Sequence, residues 1–450
     1  MVVKKGLDIP IEGKPEGEVG DLLPPKTIAL NLDAFEELSF KLHVKVGEKV
    51  KIGQPIIENK SIRGQMFVSP AGGLVREIRR GLKRRLSQII IDLDENETYF
   101  SHQTLNSRAS QEDTLNFFMA TGLFPHIRMR PFDLIAHPHS LPRAIFVRAI
   151  ETLPFTPSAE IQLEGYEAYF QAGLDTMKKL TKGELHLVYK EGSTSTALTQ
   201  AEGVQKHTVS GPHPAGTSSF HIHEIAPIRS VSDSVWTLST LDVITVGKMA
   251  TEGHYFIDRI LGIGGGGIRE EKRGFFKSRI GFPVKALVHN RLKNLPLRLI
   301  TGDPITGTEA KEEDFLGFYQ IVFTALPENH LRPLLHFLRL GFDKFTATKT
   351  YFTGHVRPPR KGYPFTTNQH GERRAFIDGN IYRRVMPMQI PTMHLIKAIL
   401  AEDFELAECL GLLEVTSEDF ALATFICPSK IEMMQIVKTG LHRYSKEMGH

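Results

Sequence analysis

Apolar and polar positions alternate with period two between residues 26 and 91, and glycine marks the corners where the alternation breaks. The pattern predicts short strands at residues 27–30, 43–47, 50–57, 66–75 and 87–92, joined by tight turns into a small barrel or sandwich. From residue 101 the rhythm changes. Ser110, with Asp113 three residues on and Gly122 as a stop, frames a helix over 111–121. A buried strand at 144–150, a helix at 164–180 and a strand at 184–189 follow, so 101–255 reads as an α/β domain with a largely parallel sheet. Strand-like runs return at 256–262, 286–288, 298–302 and 317–323, predicting a second small β-rich domain over 256–330. Pro358 and Pro359 preclude regular helix at 357–364. Residues 392–442 carry helical periodicity, for example Met393, Ile396, Leu400 and Phe404.

Composition narrows the class. With 41% hydrophobic and 24% charged residues, the chain is neither disordered nor collagen-like nor a coiled coil. No apolar run approaches the roughly 20 residues of a membrane-spanning helix. The first residues lack an apolar stretch after Lys4 and Lys5, so no signal peptide is expected. Cys409 and Cys427 cannot form a disulfide framework and lack zinc spacing, which points to a reducing cytosol. The net charge of +4, from 55 basic and 51 acidic residues, is too even for a nucleic-acid binder. Residues 76–86 are a local exception, readable as a solvated hairpin tip or as a contact for an anionic membrane or acidic partner.

The candidate chemistry is sparse. The order V-x-V-G-x-x-V-x-x-G-Q-x-I (44–56), then S-P-x-x-G-x-V-x-x-I (69–78), resembles the barrel-sandwich hybrid of lipoyl and biotinyl carrier domains. Lys60 lies where a carrier would present its modified lysine, but the Met-Lys-Met or Asp-Lys-Ala context is missing, so an unmodified turn is expected. Gly262, Gly264 and Gly267 satisfy G-x-G-x-x-G. No acidic residue stands about 20 positions on to grip a ribose, and the expectation is a flexible glycine loop. His207, His213, His221 and His223 cluster in sequence. On a strand, His221 and His223 would share a face and could ligate one metal, but the set lacks a nearby Cys or carboxylate in a recognisable spacing, and hydrogen-bonded loop histidines are expected. No nucleophile elbow, P-loop or H-E-x-x-H is present. The acid pairs Glu312-Glu313 and Glu402-Asp403 sit on charged stretches that face solvent. The residues taken alone assemble no self-sufficient active site.

Residues 4–13, 142–147, 210–216, 235–236, 242–248, 383–388 and 418–430 together resemble the NqrA family, the A subunits of the bacterial sodium-translocating NADH:quinone oxidoreductase, from end to end. The domain order also resembles the NADH-oxidising flavoprotein of respiratory complex I and the C subunit of the Rnf complex. The resemblance implies an α/β multidomain chain: a lipoyl-like barrel-sandwich hybrid (1–100), a Rossmann-like α/β domain (101–255), a small β-grasp-like, SLBB-type domain (256–330), and a linker with a helical C-terminal domain (331–450). Those flavoprotein relatives carry a glycine-rich FMN loop after the first helix of the α/β domain. Here residues 122–133 lack its glycines. Their helical tail binds iron–sulfur clusters through cysteine runs, and this tail keeps only Cys409 and Cys427.

The implied function is that of a peripheral, cofactor-free subunit on the cytoplasmic face of the inner membrane. It would dock chiefly on the membrane-embedded B subunit among the B to F subunits. The complex so implied uses NADH, FAD, FMN, riboflavin, iron–sulfur and ubiquinone, and exports sodium. A quinone pocket would need an apolar slot and a donor. Phe132 and His137, where the flavin loop is lost, could supply both, though an ordinary strand-flanking loop is the favoured reading of them. A carrier domain at Lys60, a nicotinamide dehydrogenase at Gly262–Gly267 and a ligand-free assembly scaffold are the rival readings.

Overall fold

An N-terminal arm bearing the short strand β1 (Val19–Asp21) precedes a two-layer sandwich of seven strands. These are β2 (Thr27–Asn31), β3 (Phe40–Leu42), β4 (Lys49–Val50), β5 (Pro55–Asn59), β6 (Met66–Val68), β7 (Gly73–Arg80) and β8 (Leu86–Leu93). One sheet runs β2-β8-β7-β4 and the other β3-β5-β6, and every pair is antiparallel. Alternation works as read: Val75 is buried while Leu74 and Arg76 on either side are exposed. The strand expected at 43–47 is instead a turn. Glu48 accepts the Lys45 amide at 3.0 Å, and Val46 is left exposed. The computed structural model describes all residues except 332, 333, 336, 337, 339, 357, 371 and 450.

The α/β domain begins with α1 (Gln111–Thr121), closed by a reciprocal Ser110–Asp113 capping box and by Gly122 at φ 73°. Its remaining elements are β9 (Arg128–Arg130), β10 (Leu134–Ile135), β11 (Ala144–Ala149), α2 (Ala159–Leu163), α3 (Glu167–Lys178), β12 (Glu184–Lys190), α4 (Thr196–Thr199), β13 (Gln205–Val209), α5 (Ser218–Ile225), β14 (Val235–Ser239) and α6 (Thr240–Glu252). The sheet runs β10-β9-β14-β11-β12-β13; β14, β11, β12 and β13 are mutually parallel, and β9 joins antiparallel. The single helix expected at 164–180 starts at Glu167, because Gly165 sits at φ 82° between α2 and α3. Helices α3 and α6 cross so closely that a Cβ on Gly247 would lie 1.8 Å from the Tyr169 carbonyl oxygen.

The small β unit comprises β15 (Asp258–Gly264), β16 (Gly274–Arg279), α7 (Val284–Val288), β17 (Leu297–Thr301), β18 (Thr308–Ala310) and β19 (Val322–Pro327). Its sheet runs β1-β16-β15-β19-β17-β18, so the N-terminal arm supplies an edge strand, parallel to β16. Two expected strands shift. Residues 286–288 lie in a helical turn, because the buried Val284, Leu287 and Val288 follow i, i+3, i+4 spacing behind Pro283. The run at 317–323 opens as a turn, with the Gln320 amide donating to the Gly317 carbonyl at 3.1 Å, and pairing starts only at Val322. The glycine run is no flexible loop either. It is buried, and the arm crosses it backbone to backbone: the Gly265 amide donates to Gly13 at 2.8 Å, and a Cβ on Gly13 would sit 2.5 Å from the Gly265 carbonyl carbon. A 3-10 turn follows it, rather than the helix that a dinucleotide fingerprint opens.

The C-terminal region holds α8 (Phe352–Val356), α9 (Thr392–Leu400), α10 (Phe404–Cys409), α11 (Ala421–Ile426) and α12 (Met433–Glu447). Residues 358–364 form the expected irregular segment, and Arg357 lies outside the described residues. Two large apolar cores and a small cluster of Ala29, Ile90 and Phe315 result among the described residues. One joins the sandwich, α1, α3 and α6 to the small β unit. The other joins the arm and the opposite face of the parallel sheet to the C-terminal helices. Among the described residues no helix is long and apolar enough to cross a membrane.

Candidate functional site

An open parallel sheet binds ligands outside the carboxyl ends of its strands, where the chain reverses its direction across the sheet. Here the chain leaves β11 toward β12 and β13, then returns to β14 on the other side, so the reversal lies between β11 and β14. Arg148 and Ser239 stand opposite each other at that point.

Arg148 fills the mouth of this crevice. Its guanidinium holds Glu151 through Nη2 and Glu418 through Nη1, each at 3.5 Å. Glu418 comes from the C-terminal region, so a remote segment closes the crevice. Asp303, on the turn after β17, adds a fourth acidic neighbour to Glu151, Glu418 and Asp242. Burial dominates and the surrounding carboxylates add to it, so the Glu151 carboxyl is pushed up to about 7 against the pull of Arg148. Asp303 is likewise raised by burial. Glu151, in turn, holds the Arg148 guanidinium above its ordinary value. Glu151 thus shares its one arginine with Glu418, while Asp242 and Asp303 add to the acidic surroundings.

The helix N-terminus that would meet a phosphate here is α6, and its own residues occupy it. The Ser239 hydroxyl caps the Asp242 amide, and the Asp242 carboxylate accepts the Ser239 amide at 2.9 Å. Asp242 also accepts from His126 Nδ1 at 2.7 Å, whose Nε2 lies 2.8 Å from the Tyr255 hydroxyl. Burial raises the Asp242 carboxyl, yet the His126 and Ser239 bonds outweigh it and hold the group below its usual value. The crevice does not fit a flavin phosphate: its surroundings are acidic, and at the helix terminus the Asp242 carboxylate already stands over the first turn with its amide held by Ser239. Beside it, a cavity of about 330 Å³ at the ends of β11 and β12 is lined by Glu151, Glu160, Lys190 and Ser193 among others.

The clustered histidines separate. His221 and His223 lie on helix α5, not on a strand, so two residues' spacing turns them away from each other. His221 is buried, with Nε2 on the Ala215 carbonyl at 2.8 Å, and burial pulls it down to about 4. His223 pairs with Glu414 at 2.5 Å, which raises it. His213 bonds Thr152 at 2.9 Å and His207 bonds His186 at 3.1 Å. Among the described residues no group of three or more His, Cys, Asp or Glu side chains could hold a metal.

Family comparison places the chain. Residues 1–94 match the model of the NqrA N-terminal barrel-sandwich hybrid domain, and residues 109–255 match that of the NqrA second alpha/beta domain. A Chlamydia pneumoniae protein, named as the A subunit of Na(+)-translocating NADH-quinone reductase, is 38% identical over 100% of this chain and 98% of its own. The protein of that name from Chlamydia caviae is 36% identical over 100% of this chain and 97% of its own, and that from Tolumonas auensis 33% over 99% and 100%. The chain belongs to the NqrA family. Its relatives are thus named as part of an oxidoreductase complex.

The sequence candidates fall in different places within this NqrA fold. Phe132 follows Arg130 in the β9–β10 turn, at φ 75°, and its buried ring meets Tyr444 of α12 edge-on at 5.8 Å. His137 faces a second cavity, of about 530 Å³, whose lining includes Arg63, Met119 and His139 but not Phe132. Lys60 lies exposed on its turn, which is tied down by backbone and by Gln65: the Lys60 amide donates to the Ser39 carbonyl at 2.8 Å, and the buried Gln65 reaches the Ala136 carbonyl. Cys427 is buried with Sγ 3.1 Å from the Tyr382 hydroxyl, and Cys409 is exposed. Sequence reading missed Arg148, Glu151 and Glu418. The available signal was a single arginine ending the otherwise apolar strand Ala144–Ala149.

Proposed function

We propose that this chain is the cofactor-free peripheral component of a sodium-translocating NADH:quinone reductase, seated on the cytoplasmic face of the inner membrane against the membrane-embedded B subunit. The relatives' name and their full-length match support membership of the complex, and with it the remaining subunits as partners. The observation that carries the cofactor-free reading is Arg148 bound to Glu151 and Glu418 in the crevice between β11 and β14, the place where an open parallel sheet takes its ligand. Cys427 commits its sulfur to Tyr382 and to the Ile431 amide, which supports a tail that ligates no cluster. NADH, flavins, iron and ubiquinone are then handled by the other subunits, and this chain shapes the quinone end of the pump.

A second reading, in which the quinone enters this chain, is favoured by the cavity at His137. Ile62, Leu115 and Met119 offer an apolar wall, His137 takes the His139 amide on Nδ1 at 3.3 Å, and the His139 ring stands beside it to meet a carbonyl oxygen. Phe132 stands outside that lining, so the reading rests on the His137 end of the loop.

Affinity purification of the tagged chain from gently solubilised native membranes tests the proposal. Integral membrane subunits and flavoproteins should co-elute with sodium-stimulated NADH:quinone activity, and the separated chain should bring no visible flavin or iron–sulfur absorbance. A chain that emerges alone with its own bound flavin overturns it.

A further inference from the structure

The β7–β8 hairpin is the most conspicuous feature the proposed function leaves unused. Residues 76–86 hold six basic side chains and one acid. The pairing is uneven. At the base, Arg76 meets Asp92, Arg79 meets Glu77, and Arg85 meets Asp33 and Glu36. Glu36 is also held by Lys438 of α12. The tip differs: among the described residues Arg80, Lys83 and Arg84 have no carboxylate partner, and Arg80 only donates to the Arg84 carbonyl at 3.1 Å. Between them Leu82 stands 93% exposed, more than any other large apolar side chain among the described residues.

The backbone holds this arrangement at a cost. Lys83 and Arg84 are both left-handed, at φ 54° and 60°, where glycine or asparagine would sit with less strain. Strain kept at two successive positions, with long basic side chains instead of turn formers, points to a demand on those side chains that the turn itself does not make.

We propose that this tip is a membrane-contact finger for an anionic bilayer surface, with Leu82 entering the headgroup region and Arg80, Lys83 and Arg84 engaging lipid phosphates. The charge is complementary to such a surface, the tip carries no competing carboxylate, and one bare leucine supplies an apolar wedge. Each basic residue near an anionic leaflet is worth roughly a fivefold gain in partitioning, and burial of one leucine about tenfold more. The assignment goes beyond docking on other subunits, because it requires only this chain and lipid.

The test uses the full chain with vesicles of phosphatidylcholine alone or mixed with phosphatidylglycerol. The wild type should sediment with the anionic vesicles, release as salt rises, and ignore the neutral ones. Reversing the three tip charges (Arg80→Glu, Lys83→Glu, Arg84→Glu) should lower the binding at least a hundredfold, and Leu82→Ser roughly tenfold. Leu82→Trp adds a local probe, since the chain's own Trp236 is fully buried. The introduced indole should blue-shift on anionic vesicles and be quenched by brominated lipid. Equal binding to neutral vesicles, an unshifted indole or undiminished binding of the charge-reversed chain overturns the proposal. So does a charge-reversed chain that fails to join the other subunits while wild type ignores anionic vesicles, which would assign the tip to an acidic protein surface. The co-purification experiment can succeed or fail independently of either result.

Discussion

Arg148, near the end of a central strand, and Glu418, at the start of the final helical cluster, meet at 3.5 Å across the mouth of the parallel sheet. The contact joins parts of the chain far apart in sequence. It also determines the charge of the crevice, since Glu151 competes for the same guanidinium.

That competition has a pH signature. Glu151 is raised from 4.5 to about 7 in the folded protein, so the native state binds the extra proton between those values. Its stabilising contribution is fully present below about pH 4.5 and fades as pH rises through 7. Glu151→Gln removes the titration. In urea melts from pH 5 to 8, the stability of the wild type relative to that variant should decline with rising pH. A constant difference would show that Glu151 titrates normally.

Asp242 should behave with the opposite sign. Its carboxyl is held low by His126 and Ser239, so its contribution is present above the ordinary carboxylate value and is lost as pH falls through the depressed one. Asp242→Ala removes the carboxylate half of the capping box, which holds the Ser239 amide, and takes from His126 its carboxylate partner, a loss of about 2–4 kcal/mol at pH 7. Denaturation midpoints should show that gap at neutral pH and a narrowing gap below about pH 4.

Phe132 is a packing test for the β9–β10 turn. Its ring is buried against Tyr444, which itself stacks on Phe404 at 5.2 Å. Phe132→Ala should cost about 3–5 kcal/mol by leaving a cavity there. Limited proteolysis should then cut within the C-terminal helices before the sheet domain. An unchanged melting profile would mean the turn is not a structural hinge pin.

The α3–α6 crossing leaves no room for a side chain at Gly247. A methyl group at Gly247 would collide with backbone, the Tyr169 carbonyl, and not with a movable side chain. Gly247→Ala should therefore destabilise by about 1–3 kcal/mol, despite its gain in helix propensity. Thermal unfolding of that variant should show a clear drop in Tm.

Local signals were readable in the sequence where the physics is local. Ser110, Asp113 and Gly122 delimit α1 because caps act within one turn, and the sandwich strands follow from alternation over a few residues. Short apolar runs misled: Val284 to Val288 suits either period until Pro283 and its buried neighbours choose the helical one. The glycines at 262–267 resembled a phosphate loop because glycine serves any close backbone approach, and the partner at Gly13 lies far away in sequence. Strand β1 was invisible for the same reason, since Val19–Asp21 carries no periodicity and gains its pairing from Phe275, Phe276 and Lys277. The charged crevice needed Arg148 and Glu418 to be seen together, and no spacing rule connects them.

The arm's route bears on how the protein is made. Residues early in the chain bond to Ser210, His213, Gly265, Tyr363 and Arg384. Each of those partners is translated after the arm. At roughly 5–20 residues per second, the ribosome needs on the order of twenty seconds to a minute to reach the last of them. The arm is therefore among the last parts to settle: nascent chains halted before residue 210 carry it without any of these partners and open to chaperones, and the latch at Gly6 closes only once Arg384 is made.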